Sequence, residues 1–421
     1  MTDIIFGFLS ILGVITLLRV TLFFVGSDIY EIKRIIKRRR FSSIINFQPK
    51  SYQVTVLIPA HNEDSVIIRC LESVFASEYK RIKVIVIDDG SSDQTAVLVK
   101  NFKALHGFSN LQLISKKNSG KADSLNLALA KVRSALVMVL DADSVVQPDT
   151  ISIAVRHFDN PRVVAAATNV RITHNLNSIV GAIQLLEFSS SFRFKRALTT
   201  FNMEYIIGGM SFFRYTALKK VGFFDTDTVT EDIDLTLKLV SLGNKDNRII
   251  FAGDSITYTE GAGSFRALLK QRYRWKYGRF QTFVKNRKLF LNKDHKYSRS
   301  LTFFYLPWSL IQELISLLDP FIIIFWLTIS IRMGSYGTFR FIIIFYMIFV
   351  LLITMTEDRL SLAARFRLVA YAPLGYIFFL VVGLVEYSAL LKCIFNYRKI
   401  IQLEQDIGGW DHIKRDGGSL G

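Results

Sequence analysis

Three short apolar runs in this chain end the same way, in a cluster of polar and acidic residues. They are "YQVTVLIPAHNE" (Tyr52 to Glu63), "KVIVIDDGSSD" (Lys83 to Asp93) and "SALVMVLDADS" (Ser134 to Ser144). Runs this short, unbroken and rich in β-branched residues read as strands buried on both faces. Helical spacing follows the first in "DSVIIRCLESVFAS" and, after the second, from about Gln94. Strands alternating with helices in this way predict a parallel α/β sheet covered on both sides. Ligands of such sheets bind at the carboxyl ends of the strands, where all three polar clusters fall.

The remainder of the chain is more apolar than this middle part. Half of the 421 residues are hydrophobic and 35 are Phe, which is high for an ordinary soluble enzyme. "IIFGFLSILGVITLLRVTLFFV" (Ile4 to Val25) is long enough to span a bilayer as a helix. A signal peptide is the alternative reading, but no small-residue cleavage site follows. The next segment carries six Lys or Arg between Lys33 and Arg40, which predicts a retained anchor with this side in the cytoplasm. Leu301 to Ile331, Phe339 to Met355 and Leu368 to Phe395 are further candidate spans, three or four in number, the first able to bend at Pro320. Between the last two, "EDRLSLAARFR" has the basic amphipathic pattern of a helix lying on the membrane surface. The expected organisation is a span in 1–27, a basic linker in 28–50 and a catalytic domain in 51–260. An interfacial helix in 261–299, spans in 300–396 with an interfacial segment at 357–367, and a tail in 397–421 complete it. Two distant cysteines, Cys70 and Cys393, imply neither a disulfide framework nor a thiolate metal site. The net charge of +18 suits anionic lipid, nucleic acid or a phosphorylated substrate. Nucleic acid is the poorest of these fits, because acidic strand ends repel phosphate.

Five groups of residues are able to do chemistry. Asp88 and Asp89 precede a Gly-Ser turn, where turn and cap chemistry competes with a role in accepting hydrogen bonds from a base or ribose. Asp141 and Asp143 follow an apolar strand, where paired carboxylates call for a compensating cation such as Mg or Mn. Lys121 opens a helix after Gly120, a place that favours phosphate, although the P-loop spacing is absent. Thr230, Glu231 and Asp232 read as a helix start, or as the place of a general base. Gln271, Arg274, Trp275 and Gly278 share one helical face. There an indole can stack on a sugar and a guanidinium can grip a diphosphate.

Taken in order, "PAHNE", "DDGSSD", "SGKADSLN", "DADS", "TED" and "QRYRW" resemble the membrane-embedded, processive family 2 glycosyltransferases. That group makes poly-N-acetylglucosamine, cellulose, hyaluronan and chitin oligosaccharides, and the poly-N-acetylglucosamine branch is the most similar. The resemblance implies a GT-A nucleotide-sugar domain and an inverting, polymerising transfer from a UDP-sugar, with UDP-N-acetylglucosamine the expected donor. It implies that Ala60, Glu63, Asp88 and Asp89 hold uridine, with Lys121 and Asp141 at the diphosphate. Asp143, with Asp141, would bind Mg or Mn. Asp232, beside Glu231, would be the general base, and Gln271, Arg274 and Trp275 would meet the acceptor end and the diphosphate. The implied partners are the donor, a polysaccharide acceptor, the plasma-membrane bilayer and a small membrane subunit that some relatives need. A cellulose-like or hyaluronan-like synthase, or a single transfer to a lipid carrier, is the alternative.

Overall fold

The computed structural model describes residues 21–36, 52–173, 178–204, 206–315, 336–355 and 361–402, with isolated positions between 7 and 18 and between 317 and 334. The strands are β1 (Val54–Ala60), β2 (Ile82–Asp89), β3 (Leu111–Lys116), β4 (Leu136–Val139), β5 (Val145–Val146), β6 (Val163–Thr173), β7 (Ser211–Arg214) and β8 (Arg248–Glu260). They form one eight-stranded sheet in the order β3-β2-β1-β4-β7-β6-β8-β5. β3, β2, β1 and β4 run parallel, as the three apolar runs predict. β7 is antiparallel to both β4 and β6, and β8 is parallel to β6, so the sheet is mixed beyond β4. Chain order reverses between β1 and β4, the crevice where open α/β sheets take ligands.

The helices of the central region are α1 (Ile67–Phe75), α2 (Thr95–His106), α3 (Lys121–Leu129), α4 (Thr150–His157), α5 (Ile179–Phe201), α6 (Tyr215–Lys220), α7 (Glu231–Ser241) and α8 (Phe265–Lys285). Alternate strand residues feed two separate cores. Leu57, Ile85, Ile87, Val137 and Val139 pack under α3, α5 and α7 through Leu125, Phe192 and Leu235. Val56, Ile58, Val84, Val86 and Met138 pack under α1, α2 and α4 through Leu71, Phe102 and Ile151. A strand with both faces covered has no polar alternation, which is why these runs are continuously apolar.

Residues 21–36 are helical and dock on the sheet. Tyr30 Oη donates to the Phe251 carbonyl at 2.8 Å and accepts from the Gly253 amide at 3.0 Å. Arg34 pairs with Asp254, and Glu31 with Arg196 at 3.0 Å. The expected basic linker therefore begins as a helix fixed to β8 and α5, while 37–51 lie outside the described residues.

Four more α-helices follow among the described residues: α9 (Leu306–Ile315), α10 (Gly337–Met355), α11 (Leu362–Phe395) and α12 (Tyr397–Gln402). The described part of the expected surface segment, from Ser361, runs into the last expected span within α11, whose first turns are Leu362 to Arg367, while 357–360 lie outside the described residues. Among the described residues no single helix is long and apolar enough to cross a membrane. Leu362–Gly375 and Leu380–Phe395, bent by 55°, pass that test as a pair. Most of Ile4 to Val25, Pro320 and the tail from 403 lie outside the described residues.

Candidate functional site

β1 and β2 place Ala60 beside Asp88 in register, and β2 and β3 place Asp89 beside Lys116. Asp88 accepts from the Ser91 amide at 3.1 Å, shaping the turn after β2. Asp89 is fully buried. Its carboxylate accepts from Lys116 Nζ at 2.6 Å and from the amides of Ser119 and Gly120 at 3.0 and 2.8 Å. These three bonds to one carboxylate fix the loop that leads into α3. Glu63 lies in the turn before α1, its amide donating to Thr95 Oγ1 at 2.9 Å and its carbonyl accepting from the Ile67 amide at 2.9 Å. His61 bridges to the Asp89 carbonyl at 2.9 Å, so the ends of β1 and β2 are tied together.

The loop held by Asp89 delivers Lys121. Its ammonium lies 2.7 Å from Asp141 Oδ1 and 3.2 Å from Glu231 Oε1. Burial alone lowers such a lysine, but Asp141 and Glu231 outweigh it and hold Lys121 well above the usual lysine value. One cation thus joins the motifs that follow β3 and β4 to the start of α7. Asp141 and Asp143 leave the strand end in different directions. Asp141 turns to Lys121, whereas Asp143 accepts from Ser144 Oγ and from Thr259 Oγ1 of β8, each at 3.1 Å. The turn closed by the Ser144 amide on the Asp141 carbonyl at 3.0 Å makes this divergence. Carboxylate and hydroxyl oxygens are the hard donors that Mg and Mn take, and here Asp141 is engaged by Lys121 and Asp143 by Thr259. A β-carbon at Gly209 would lie 2.8 Å from Asp141 Oδ2, so glycine there keeps the carboxylate approachable.

Asp232 sits half-buried in the first turn of α7. Burial, then the neighbouring charge of Glu231, push its carboxyl up to about 6, against the opposing pull of Lys121. A carboxylate poised near neutrality suits proton abstraction. A small cavity lined by Lys121, Gly208, Gly209, Glu231 and Asp232 lies between these groups.

α8 closes this side. Gly278 packs on Thr230, the residue at the start of α7, whose hydroxyl makes no capping bond. Gln281 accepts from the Val229 amide at 3.0 Å and donates to the Asp227 carbonyl at 3.0 Å. Lys285 reaches Asp225 and Asp227 at 2.6 Å and Asp234 at 2.9 Å. Those three carboxylates lie close enough together to hold a cation, and the lysine ammonium is that cation. Trp275 lies under the Arg272 guanidinium, 4.1 Å from the ring centre, and near Phe188 of α5. Gln271 accepts from Arg272 at 2.8 Å, and Arg274 is half-buried one turn from Gly278.

Sequence reasoning passed over Gly208-Gly209, Gln281, Lys285 and Lys195. The Gly-Gly pair just before a strand was a legible signal. Lys195 of α5 has its charge disfavoured by burial, with Glu204 and Asp232 close enough to oppose that. Nothing local marks Lys285, whose partners lie more than fifty residues away in the chain.

A family model described as "Glycosyltransferase like family 2" matches residues 49–278, more than half of the chain. The chain is 33% identical over 257 residues to a poly-beta-1,6-N-acetyl-D-glucosamine synthase of Staphylococcus epidermidis. That match covers 60% of this chain and 61% of the relative. The same-named protein of Staphylococcus aureus is 33% identical over 236 residues, 55% of this chain and 56% of the relative. The match thus spans about three fifths of these curated relatives. Among solved structures, a mannosyltransferase from Pyrobaculum calidifontis, in complex with GDP-Man and Mn2+, aligns with a TM-score of 0.54 at 19% identity. It covers 90% of this chain and 98% of that one, a likeness of fold.

Proposed function

The chain belongs to glycosyltransferase family 2, and on that premise we propose that it is a polymerising, inverting β-glycosyltransferase whose donor is UDP-N-acetylglucosamine. The observation that carries this reading is the convergence of Lys121, Asp141, Glu231 and Asp232 at the carboxyl ends of the parallel strands. The names of the relatives support the choice of sugar.

In this reading Ala60, Glu63, Asp88 and Asp89 form the uridine end of the site. Asp88 and Ala60 meet the nucleoside, and Asp89 acts by holding the 119–120 loop. Lys121 faces the diphosphate. Asp143 and Asp141 would hold Mg or Mn, which when bound neutralises charge on the departing diphosphate. Asp232 accepts the proton of the acceptor hydroxyl as its oxygen attacks the anomeric carbon from the face opposite UDP. The bond to the diphosphate oxygen breaks with its electron pair, UDP leaves, and an α-linked donor becomes a β-linked product. Glu231 keeps Asp232 basic through its charge. Gln271, Arg274 and Trp275 present a stacking and hydrogen-bonding surface to the acceptor end of the polysaccharide.

The membrane is part of the same proposal. Large apolar side chains stand exposed along α10 and α11, among them Ile344, Phe366 at 73% and Phe395 at 83%, a surface that suits lipid. The catalytic domain (51–260) with α8 then faces the cytoplasm of the plasma membrane, and the segments at 1–27 and 300–396 anchor it and pass the product outward. A small accessory membrane subunit is compatible with this arrangement.

The test uses the purified protein in nanodiscs with Mn or Mg and one UDP-sugar at a time, recording UDP release and product length. A long product from UDP-N-acetylglucosamine alone, digested by a matching glycosidase and abolished by EDTA, is the expected result. Activity only with UDP-glucose, or only with a donor pair, moves the assignment to a cellulose-like or hyaluronan-like synthase. Transfer of a single sugar ends the polymerase reading.

A further inference from the structure

The side of α8 that faces away from α7 carries a buried charge network that the mechanism above does not use. At about 100° per residue, Arg272, Lys276 and Arg279 lie on the flank opposite Arg274 and Gly278. Lys276 is only 7% exposed, and Glu313 of α9 only 5%. The Lys276 ammonium lies 2.5 Å from Glu313 Oε2 and 3.2 Å from Glu386 Oε2 of α11. Arg279 reaches the other oxygen of Glu313 at 3.1 Å. One carboxylate therefore receives two cations spaced by nearly one turn of α8, and one lysine joins two different helices.

The packing around this network aligns α8 with the second half of α11. Phe265 meets Phe378 edge-on with ring centres 4.8 Å apart, and Phe280 and Val284 share a cluster with Leu390 and Cys393. Contacts that advance together along both chains make the two helices parallel neighbours, with Lys276–Glu386 midway between the apolar ends. Apolar packing alone tolerates sliding along such a seam. A buried charge held by carboxylates of two different helices does not, because a shift leaves an unpaired buried charge. The other flank of α8 ends on Thr230, immediately before Glu231 and Asp232. The axial position of α8 is therefore transmitted toward the catalytic carboxylates through the Gly278–Thr230 contact, beside the bonds of Gln281 and Lys285 to the preceding loop and to Asp234.

We infer that Glu313, with Glu386 in support, is a positioning residue that locks α8 through Lys276 and Arg279 and so sets where Asp232 stands relative to the acceptor. This rests on Asp232 being the base of glycosyl transfer. The lock touches no reacting atom, so its loss is expected in turnover and not in donor binding.

The experiment compares full-length wild type, Glu313→Gln, Glu313→Asp, Lys276→Met and the Lys276→Met/Glu313→Gln double variant in nanodiscs. It measures kcat from UDP release, UDP affinity by calorimetry and the thermal midpoint. Glu313→Gln is expected to lose about tenfold to a hundredfold in kcat, the scale of a small misplacement of reacting groups, with UDP affinity unchanged within about twofold. Glu313→Asp recovers part of the loss, and the double variant is no worse than the poorer single one, as expected of groups acting as one unit. Unchanged kcat in folded Glu313→Gln overturns the inference, and so does a parallel loss of kcat and UDP affinity. If Glu313→Gln does not fold, the half-exposed Glu386→Gln carries the same comparison, with the same two overturning results. Absence of UDP release by wild type from every donor is a different failure, that of the transferase reading itself.

Discussion

Gly278 and Thr230 stand so close that a β-carbon at Gly278 would lie 2.6 Å from Thr230 Oγ1. This is where α8 meets the residue that opens α7, and only a glycine allows it. Gly278→Ala must push the two helices apart, and overpacking of this kind costs about 1–3 kcal/mol. Because Asp232 is two residues beyond the contact, kcat is expected to fall about tenfold or more. Adding Thr230→Ser, which removes the clashing methyl group, recovers part of it. Steady-state UDP release on the two variants checks this. Equal activity in wild type and Gly278→Ala would break the link from α8 to the base.

The raised carboxyl of Asp232 sets a pH profile. Below about 6 it is protonated and cannot accept the acceptor proton, so kcat/KM rises with pH through about 6 and levels off above. Asp232→Asn should lose about a hundredfold or more in kcat while UDP binding by calorimetry stays near wild type. The stability sign is opposite to that of most carboxylates. A folded-state value above the unfolded one makes a contribution that is present below the unfolded value of about 3.9 and is lost as pH rises through about 6. Asp232→Asn is therefore expected to raise the thermal midpoint at pH 8 and to leave it unchanged near pH 4. A lower midpoint at pH 8 would contradict the burial that raises Asp232.

Lys121 lowers the carboxyl of Asp232 and pairs with Asp141 and Glu231. Lys121→Met removes a compensating charge from three carboxylates at once. The acidic limb of the kcat/KM profile should move to higher pH, and donor KM should rise about tenfold or more, the scale of a lost charged contact. Lys121→Arg keeps the charge and should keep the limb in place. A Met variant with the wild-type profile would remove Lys121 from the site.

Strand order was legible because each buried strand ends at its own polar turn, so "IPAHNE", "VIDDGSS" and "VLDADS" announce the fold and the turns from which the proposed site is built. The register of β1 on β2 brings Ala60 to Asp88, an outcome the parallel arrangement makes natural. The fully buried position of Asp89 was not legible, since an acidic residue before a Gly-Ser turn looks the same whether it faces a ligand or holds a loop. Likewise the antiparallel β7 and the long β6–β8 pair depend on contacts distant in sequence, which no local pattern encodes. Gly278 was read as part of a face, but its partner Thr230 is known only once α8 is laid on α7. Lys276 and Arg279 fall in the expected interfacial helix and Glu313 in an expected span, and their pairing depends on how α8, α9 and α11 meet.

Lys285 supplies the last case, in which charge holds structure and not chemistry. Its ammonium gathers Asp225, Asp227 and Asp234, the last fully buried, and so ties the loop before Thr230 to the end of α8. Burial disfavours the Lys285 charge, but the three carboxylates outweigh this and hold it well above the usual lysine value. Lys285→Met leaves Asp227 and Asp234 without their cation, Lys238 remaining on Asp225 alone, a loss of about 3 kcal/mol for a buried network broken on one side. The stranded carboxylates then bind protons more readily in the folded state than in the unfolded one. Their repulsion is relieved as pH falls, so the variant's deficit should be largest at pH 8 and shrink toward pH 5. Thermal midpoints of wild type and variant across that range decide the matter. A deficit that is constant with pH would mean that lost packing of the lysine stem, and not its charge, is what α8 and the loop share.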